Sequence, residues 1–299
     1  MQRSASWLVS LGLVLSIAGT APSAQSAAPT PVKHGYVVNS LNFPTNADDA
    51  RALGRDLTGD GNPDNQLGMV LTALAGQGLD LTSNVAATLK SGGVVILHSL
   101  RTTSLANARG ATLKVLRGKP KANPDLNGGG LFAVDTTKPS VKLKARIKNY
   151  KVKAGPGAIP FVLPALAPGQ QPVTLTVKKG LVTATCRRAK CVDGRINGAI
   201  TMAHINFRLI PAFARLFQSM VDDDCIDPPG TCDPNSGGQS VLNLFDDNND
   251  GAITAPELRA SQFIMGLFAP DLDLNKDGDE DAMSFGVGFT SASARIRGD

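Results

Sequence analysis

Val141-Lys-Leu-Lys-Ala-Arg-Ile-Lys148 alternates without a break. Val141, Leu143, Ala145 and Ile147 fall on one side of an extended chain, and Lys142, Lys144, Arg146 and Lys148 on the other. A period of two this strict predicts a strand with one buried face and one wet face. Upstream, Ala111-Thr-Leu-Lys-Val-Leu-Arg117 alternates as a half-exposed strand, Gly93-Val-Val-Ile-Leu-His-Ser-Leu100 is a β-rich run, and Val32 to Phe43 enters the fold as a strand. Gly68 to Ala75 suits either a helix or a buried strand. Downstream, Pro172-Val-Thr-Leu-Thr-Val-Lys-Lys-Gly180 keeps the pattern. Leu181–Cys186 and Cys191–Ile196 read as a hairpin. Repeated strands separated by Gly, Pro and Asn predict an antiparallel β-sandwich or barrel, with both architectures open.

The period then lengthens. Ile210, Phe213, Leu216, Phe217, Met220 and Val221 recur at helical spacing, with Pro211 tolerated in the first turn. The expected fold is therefore mainly β with a helical C-terminal part. A basic β-rich body spans 32–205 and a helical, acidic region spans 206–299, with a last strand near 284–290 able to return to the β body. Composition agrees: 31 Gly and 19 Pro with only 5% aromatic residues favour short strands and many turns over a helical bundle.

Charge is segregated. Residues 101–200 hold 19 Lys/Arg against 3 Asp/Glu, a local balance of +16, whereas 221–299 hold 4 against 16, a balance of −12. Clustered carboxylates repel one another unless cations neutralise them.

The N-terminus carries Arg3, an uncharged run from Trp7 to Ile17 and then small residues, the order of a secretory signal peptide over 1–28. The apolar run falls short of the roughly 20 residues of a spanning helix. Export to the periplasm, the cell surface or the medium is expected. The four cysteines fit an oxidising compartment, with Cys186–Cys191 and Cys225–Cys232 the economical pairing among three. Zinc is disfavoured by the spacings and by the scarcity of His.

The acidic region holds the clearest chemistry. Asp246-Asp-Asn-Asn-Asp-Gly-Ala-Ile-Thr-Ala-Pro-Glu257 resembles an EF-hand calcium loop. Oxygen-bearing side chains stand at loop positions 1, 3 and 5 (Asp246, Asn248, Asp250) and Gly251 at the sharp turn. Ala252 would give its carbonyl, Thr254 would act directly or through water, and Glu257 would close the shell with two oxygens. The flanks Val241–Phe245 and Glu257–Met265 suit an entering and an exiting helix, so an EF-hand-like helix–loop–helix is expected. Two further stretches, Asp56-Leu-Thr-Gly-Asp-Gly-Asn-Pro-Asp64 and Asp273-Leu-Asn-Lys-Asp-Gly-Asp-Glu-Asp281, share one pattern. They resemble the Asp-rich turns of dockerin and thrombospondin type 3 repeats. That resemblance implies weaker calcium sites at Asp56, Thr58, Asp60, Asn62 and Asp64, and at Asp273, Asn275, Asp277, Asp279 and Asp281. Each lacks Glu at position 12, where Leu67 and Ser284 stand, so Asp64 and Asp281 would have to compensate. The whole is similar to exported bacterial proteins that join a Gly-rich β body to Asp-rich calcium turns. One to three calcium ions are expected, as stabilisers of structure.

Catalysis has little support and no catalytic residue is assigned. His34, His98 and His204 stand in no hydrolase motif, and His98 and His204 read as satisfied core or strand residues. A calcium-dependent hydrolase acting on an extracellular polymer is the alternative, because paired carboxylates need no local motif. The only Trp lies in the leader, which argues against a sugar-binding platform. An adhesion or interaction role fits better: the basic face Lys142, Lys144, Arg146 and Lys148, with Arg187, Arg188 and Lys190 on a hairpin tip, suits an anionic surface polymer. Nucleic acid is disfavoured by the lack of stacking aromatics.

Overall fold

The computed structural model describes residues 29–75, 81–166, 170–226 and 231–299. The signal-peptide reading falls on 1–28, outside the described residues. The unit described below is Pro31–Asp299.

Its strands are β1 (Val32–Asn42), β2 (Val95–Thr102), β3 (Ala108–Gly118), β4 (Gly130–Ala133), β5 (Val141–Lys148), β6 (Lys151–Leu163), β7 (Val173–Cys186), β8 (Lys190–Thr201), β9 (Cys225–Ile226), β10 (Thr231–Cys232) and β11 (Ala282–Arg297). Between β1 and β2 lie α1 (Ala47–Leu53), α2 (Gln66–Ala75) and α3 (Leu81–Ser91). Between β8 and β11 lie α4 (Met202–His204), a π-helical turn (Ile205–Leu209), α5 (Ile210–Asp224), α6 (Gly237–Phe245), α7 (Ala255–Ala260) and α8 (Gln262–Leu267).

The architecture is a barrel, which resolves the sandwich-or-barrel alternative. Neighbours run β1-β2-β3-β5-β6-β7-β8-β11, and β11 pairs back onto β1, so eight antiparallel strands close on themselves. Closure leaves no open edge among the eight. β11 is 16 residues long, far more than the stretch near 284–290 that alternation marks. Register shifts interrupt the ladders at Val38/Ser40 on β1 and at Phe289/Ser291 on β11. Bulges of this kind bend strands, and closure requires bending.

Alternation works as the sequence reads it. On β5, Leu143, Ala145 and Ile147 are buried in the main core and the four cations are exposed. β2 does not alternate, because both its faces are covered. Ile96 and Leu100 join the main core, while Val95 and Leu97 pack with Val37, Leu116 and Phe132 in a second cluster. Phe132 belongs to β4, which pairs parallel to the end of β11. An apolar run buried on both sides carries no period-two signal.

The helical connections join strands at one end of the barrel. α2 and α5 send Leu67, Val70, Leu71, Phe213, Leu216 and Phe217 into the main core. Asn65, buried ahead of α2, donates to the carbonyls of Ala50 and Gly286 and accepts from the N–H groups of Gly68 and Gly286. That one side chain ties the first helical insertion to β11. Gly286 must be glycine there, because a Cβ would lie 2.3 Å from the Leu53 carbonyl oxygen.

Both expected disulfides are present, Cys186–Cys191 across the β7–β8 turn and Cys225–Cys232 across β9–β10. Among the described residues, no helix is long and apolar enough to cross a membrane. β5 shows cations outside the barrel, where a lipid-facing strand would be apolar.

Candidate metal centre

The loop from Asp246 to Thr254 joins α6 to α7. Ser236 caps α6 by accepting from the Gln239 N–H, and Val241, Leu242 and Phe245 bury its inner face. Phe245 stacks on Phe217 of α5 at 5.3 Å between ring centroids. Thr254 begins α7 with a full capping box: Glu257 Oε2 accepts from the Thr254 N–H at 2.8 Å and from its hydroxyl at 2.6 Å. Such a box satisfies donors that a helix start leaves open. The exiting helix is shorter than the flank suggests. It stops at Ala260, because Ser261 takes an extended backbone and its hydroxyl caps α8 instead.

Within the loop the backbone folds around carboxylates. Asp246 is buried, and its two oxygens accept from the N–H groups of Asp250 and Gly251 at 3.1 and 2.9 Å. Asn248 Oδ1 also accepts from Asp250 N–H, and its amide donates to Asp250 Oδ2 at 3.0 Å. Asp250 Oδ1 accepts from Ala252 N–H at 2.8 Å. Asn249 and Gly251 stand at φ 56° and 78°, the left-handed turn that the Asn-Asp-Gly sequence favours. Ile253 is buried and anchors the loop, and its N–H donates to Gln218 Oε1 on α5 at 2.6 Å.

Asp246, Asp250 and Glu257 each bring one carboxylate oxygen within 4.8 Å of the others, an arrangement that could hold a metal ion. Glu257 Oε1 is buried and has no hydrogen-bond partner. Thus one oxygen of Glu257 serves the capping box and the other has no partner, in a carboxylate that lies beside two aspartates. Asn248 and Thr254 border the cluster but spend their polar groups inside the loop, on Asp250 and on Glu257.

The stretches at Asp56 and Asp273 follow a similar scheme, with the first aspartate accepting from the third and fifth residues after it where Asp246 accepts from the fourth and fifth. Asp56 accepts from Gly59 and Gly61 N–H, and Asp273 from Lys276 and Gly278 N–H. Asp60 accepts from Asn62 N–H, and Asp277 from Asp279 N–H. Asn275 bridges to Asp277 as Asn248 does to Asp250. Lys276 takes φ 65° where Gly59 takes 89°. The Asn62 N–H holds the Asp60 carboxyl below the usual range, and the Gly278 N–H does the same for Asp273. The last aspartates turn back: Asp64 accepts from Leu57 and Thr58 N–H, and Asp281 from Leu274 N–H. Among the described residues these two turns bring no three carboxylates within 4.8 Å of one another, as the Asp246 loop does. The two turns are neighbours. Leu57 and Leu274 pack on one small cluster of Ala199, Leu272 and Ala282. Burial raises the carboxyl of Asp271 beside them, and Asp64 and Glu280 push it further.

Gln218 and Asn65 carry structural weight that motif reading misses, because Gln218 stands on α5 and Asn65 follows the last aspartate of its stretch. His98 is buried in the barrel with Nε2 unpartnered, so it is a core residue but not a satisfied one. His204 Nδ1 accepts from Thr176 N–H, as a satisfied residue does. Lys142, Lys144, Arg146 and Lys148 all lie exposed on β5.

The chain matches no protein-family model, no curated protein and no solved structure.

Proposed function

We propose that Asp246, Asn248, Asp250, Ala252, Thr254 and Glu257 bind calcium as an EF-hand-type loop of an exported protein, and that the ion stabilises its fold. The observation that carries this reading is the Glu257 carboxylate, which lies beside two more carboxylates and keeps one buried oxygen, Oε1, without a partner. An uncompensated buried charge is costly, and a divalent cation is the simplest group that compensates three carboxylates together. Hard oxygen donors of variable geometry suit calcium, which takes about six to eight of them, whereas magnesium demands a near-ideal octahedron. Calorimetric titration with calcium and then magnesium tests it. Saturable calcium binding that Glu257→Gln abolishes is expected. Absence of calcium binding in the millimolar range, the weak end for extracellular modules, refutes it.

A second reading concerns the outer face of β5 and β6. Arg146 stands opposite Lys153, and Lys148 opposite Lys151. Like charges directly opposite destabilise a sheet, and none of these four forms an ion pair among the described residues. A face that keeps a costly charge pattern suits an anionic polymer at a cell surface. Retention on a sulfated polysaccharide column should fall with salt and drop on Lys148→Glu/Lys151→Glu. Equal retention of the variant refutes this reading.

A further inference from the structure

A cavity of about 250 Å³ opens into the helix-bearing end of the barrel. Its inner wall is Val38, Leu41, Ile96, Val115, Phe161 and Phe289, all buried core residues from five different strands. Its rim carries two cations, Arg117 at the end of β3 and Lys138 ahead of β5. The interior of an eight-stranded barrel is just wide enough to be filled by side chains or to hold one small ligand. Here the filling is incomplete at one end. An apolar cavity of about 150 Å³ already admits benzene.

Arg117 is the decisive group. Its guanidinium forms no ion pair and no side-chain hydrogen bond among the described residues, although burial is deep enough to depress its pKa. Asp135 faces it, but Asp135 Oδ1 is held by the N–H and hydroxyl of Thr137. A half-buried cation without a bonded partner, set at the mouth of an apolar cavity, is complementary to an anion with an apolar tail. The flat fork of a guanidinium matches a carboxylate with two parallel hydrogen bonds.

The geometry points to a binding site for a small amphipathic carboxylate, its tail in the barrel end and its head on Arg117 with Lys138 beside it. This stands independently of the calcium loop, which none of these residues joins.

Calorimetry with octanoate, octan-1-ol, octylamine and acetate on the whole protein tests it. Octanoate should bind most tightly, octanol more weakly, and octylamine and acetate weakest. Arg117→Gln should weaken octanoate about ten-fold or more, since hydrogen bonds to charged groups are among the stronger ones, while octanol affinity stays unchanged. Val115→Phe, which fills the cavity, should abolish both. If that variant does not fold, Arg117→Gln alone decides. Failure of octanoate to bind, equal binding of octanoate and octylamine, or an Arg117→Gln protein that binds octanoate like the parent overturns the assignment.

Discussion

Glu257→Gln separates two jobs of one carboxylate. Oε2 closes the capping box on Thr254, and a glutamine oxygen can serve there equally. Oε1 is the buried oxygen without a partner, and glutamine puts an uncharged amide in its place. Without metal, three carboxylate oxygens within 4.8 Å repel one another. At that separation a pair costs about 3.5 kcal/mol at an effective dielectric of 20 and about 0.9 kcal/mol in bulk water. Asp250 is exposed and Glu257 only half-buried, so water screens both pairs that Glu257 makes, and about 1 kcal/mol per pair is the apt scale. Removing the Glu257 charge relieves two pairs. In EDTA the variant should therefore be about 1–2 kcal/mol more stable than the parent, a rise in Tm of about 2–4 °C for a domain of this size. In calcium the order reverses. A site at a hundred-fold excess over its Kd contributes about 2.7 kcal/mol, which moves Tm by about 5 °C, and the variant loses most of that gain. Calorimetric melting of both proteins in EDTA, in calcium and in magnesium reads all the terms. A variant that melts below the parent in EDTA, or that gains as much from calcium, refutes the reasoning.

Burial holds the His98 imidazole down to about 4, from 6.5 in the unfolded chain. Above pH 6.5 it is neutral in both states. As pH falls from 6.5 to 4 the unfolded chain takes up a proton that the folded chain refuses, so stability drops by about 3 kcal/mol. His98→Leu should flatten that part of the curve in urea denaturation at pH 7 and 4.5. Replacing Cys186 and Cys191 by Ser opens a loop of separation 5 and should cost about 2 kcal/mol by chain entropy, read from the denaturation midpoint. Asn65→Ala strips the bonding partner from four backbone groups and should cost about 3 kcal/mol in the same assay.

How much of this is legible in the sequence depends on where each signal lives. Lys142 to Lys148 show their strand because one face is wet. The Asp246 loop shows itself because its turn residues are contiguous. Closure of the barrel leaves no such mark: β1 meets β11 through pairs such as Val37 and Ala292, and no local pattern encodes a partner that distant. β2 hides its faces because β4 covers the outer one. The helices α1 and α3 are short, and neither carries a long apolar stripe. At the site, the capping role of Thr254 is readable from Thr-x-x-Glu, whereas the support from Gln218 is not, since it comes from α5 across the fold.

The position of the Asp246 loop in the topology gives it leverage over the barrel. β8 and β11 pair along their length, with Thr201 opposite Ala282, yet the whole excursion α4–α8 lies between those two residues. Closing so long a loop costs entropy that rises with its length, and non-local pairing is the slow step in such folds. A loop that packs as a body of its own, with Phe245 on Phe217 and Ile253 tied to Gln218, shortens the disordered chain to be closed. An ion at Asp246, Asp250 and Glu257 would favour that packed form and so favour the β8–β11 ladder without touching it. Calcium should then raise the melting of the barrel and of the helical insertion together, as one transition in far-UV circular dichroism and in calorimetry. Two transitions, of which calcium moves only the helical one, would show that the insertion folds without coupling to the barrel.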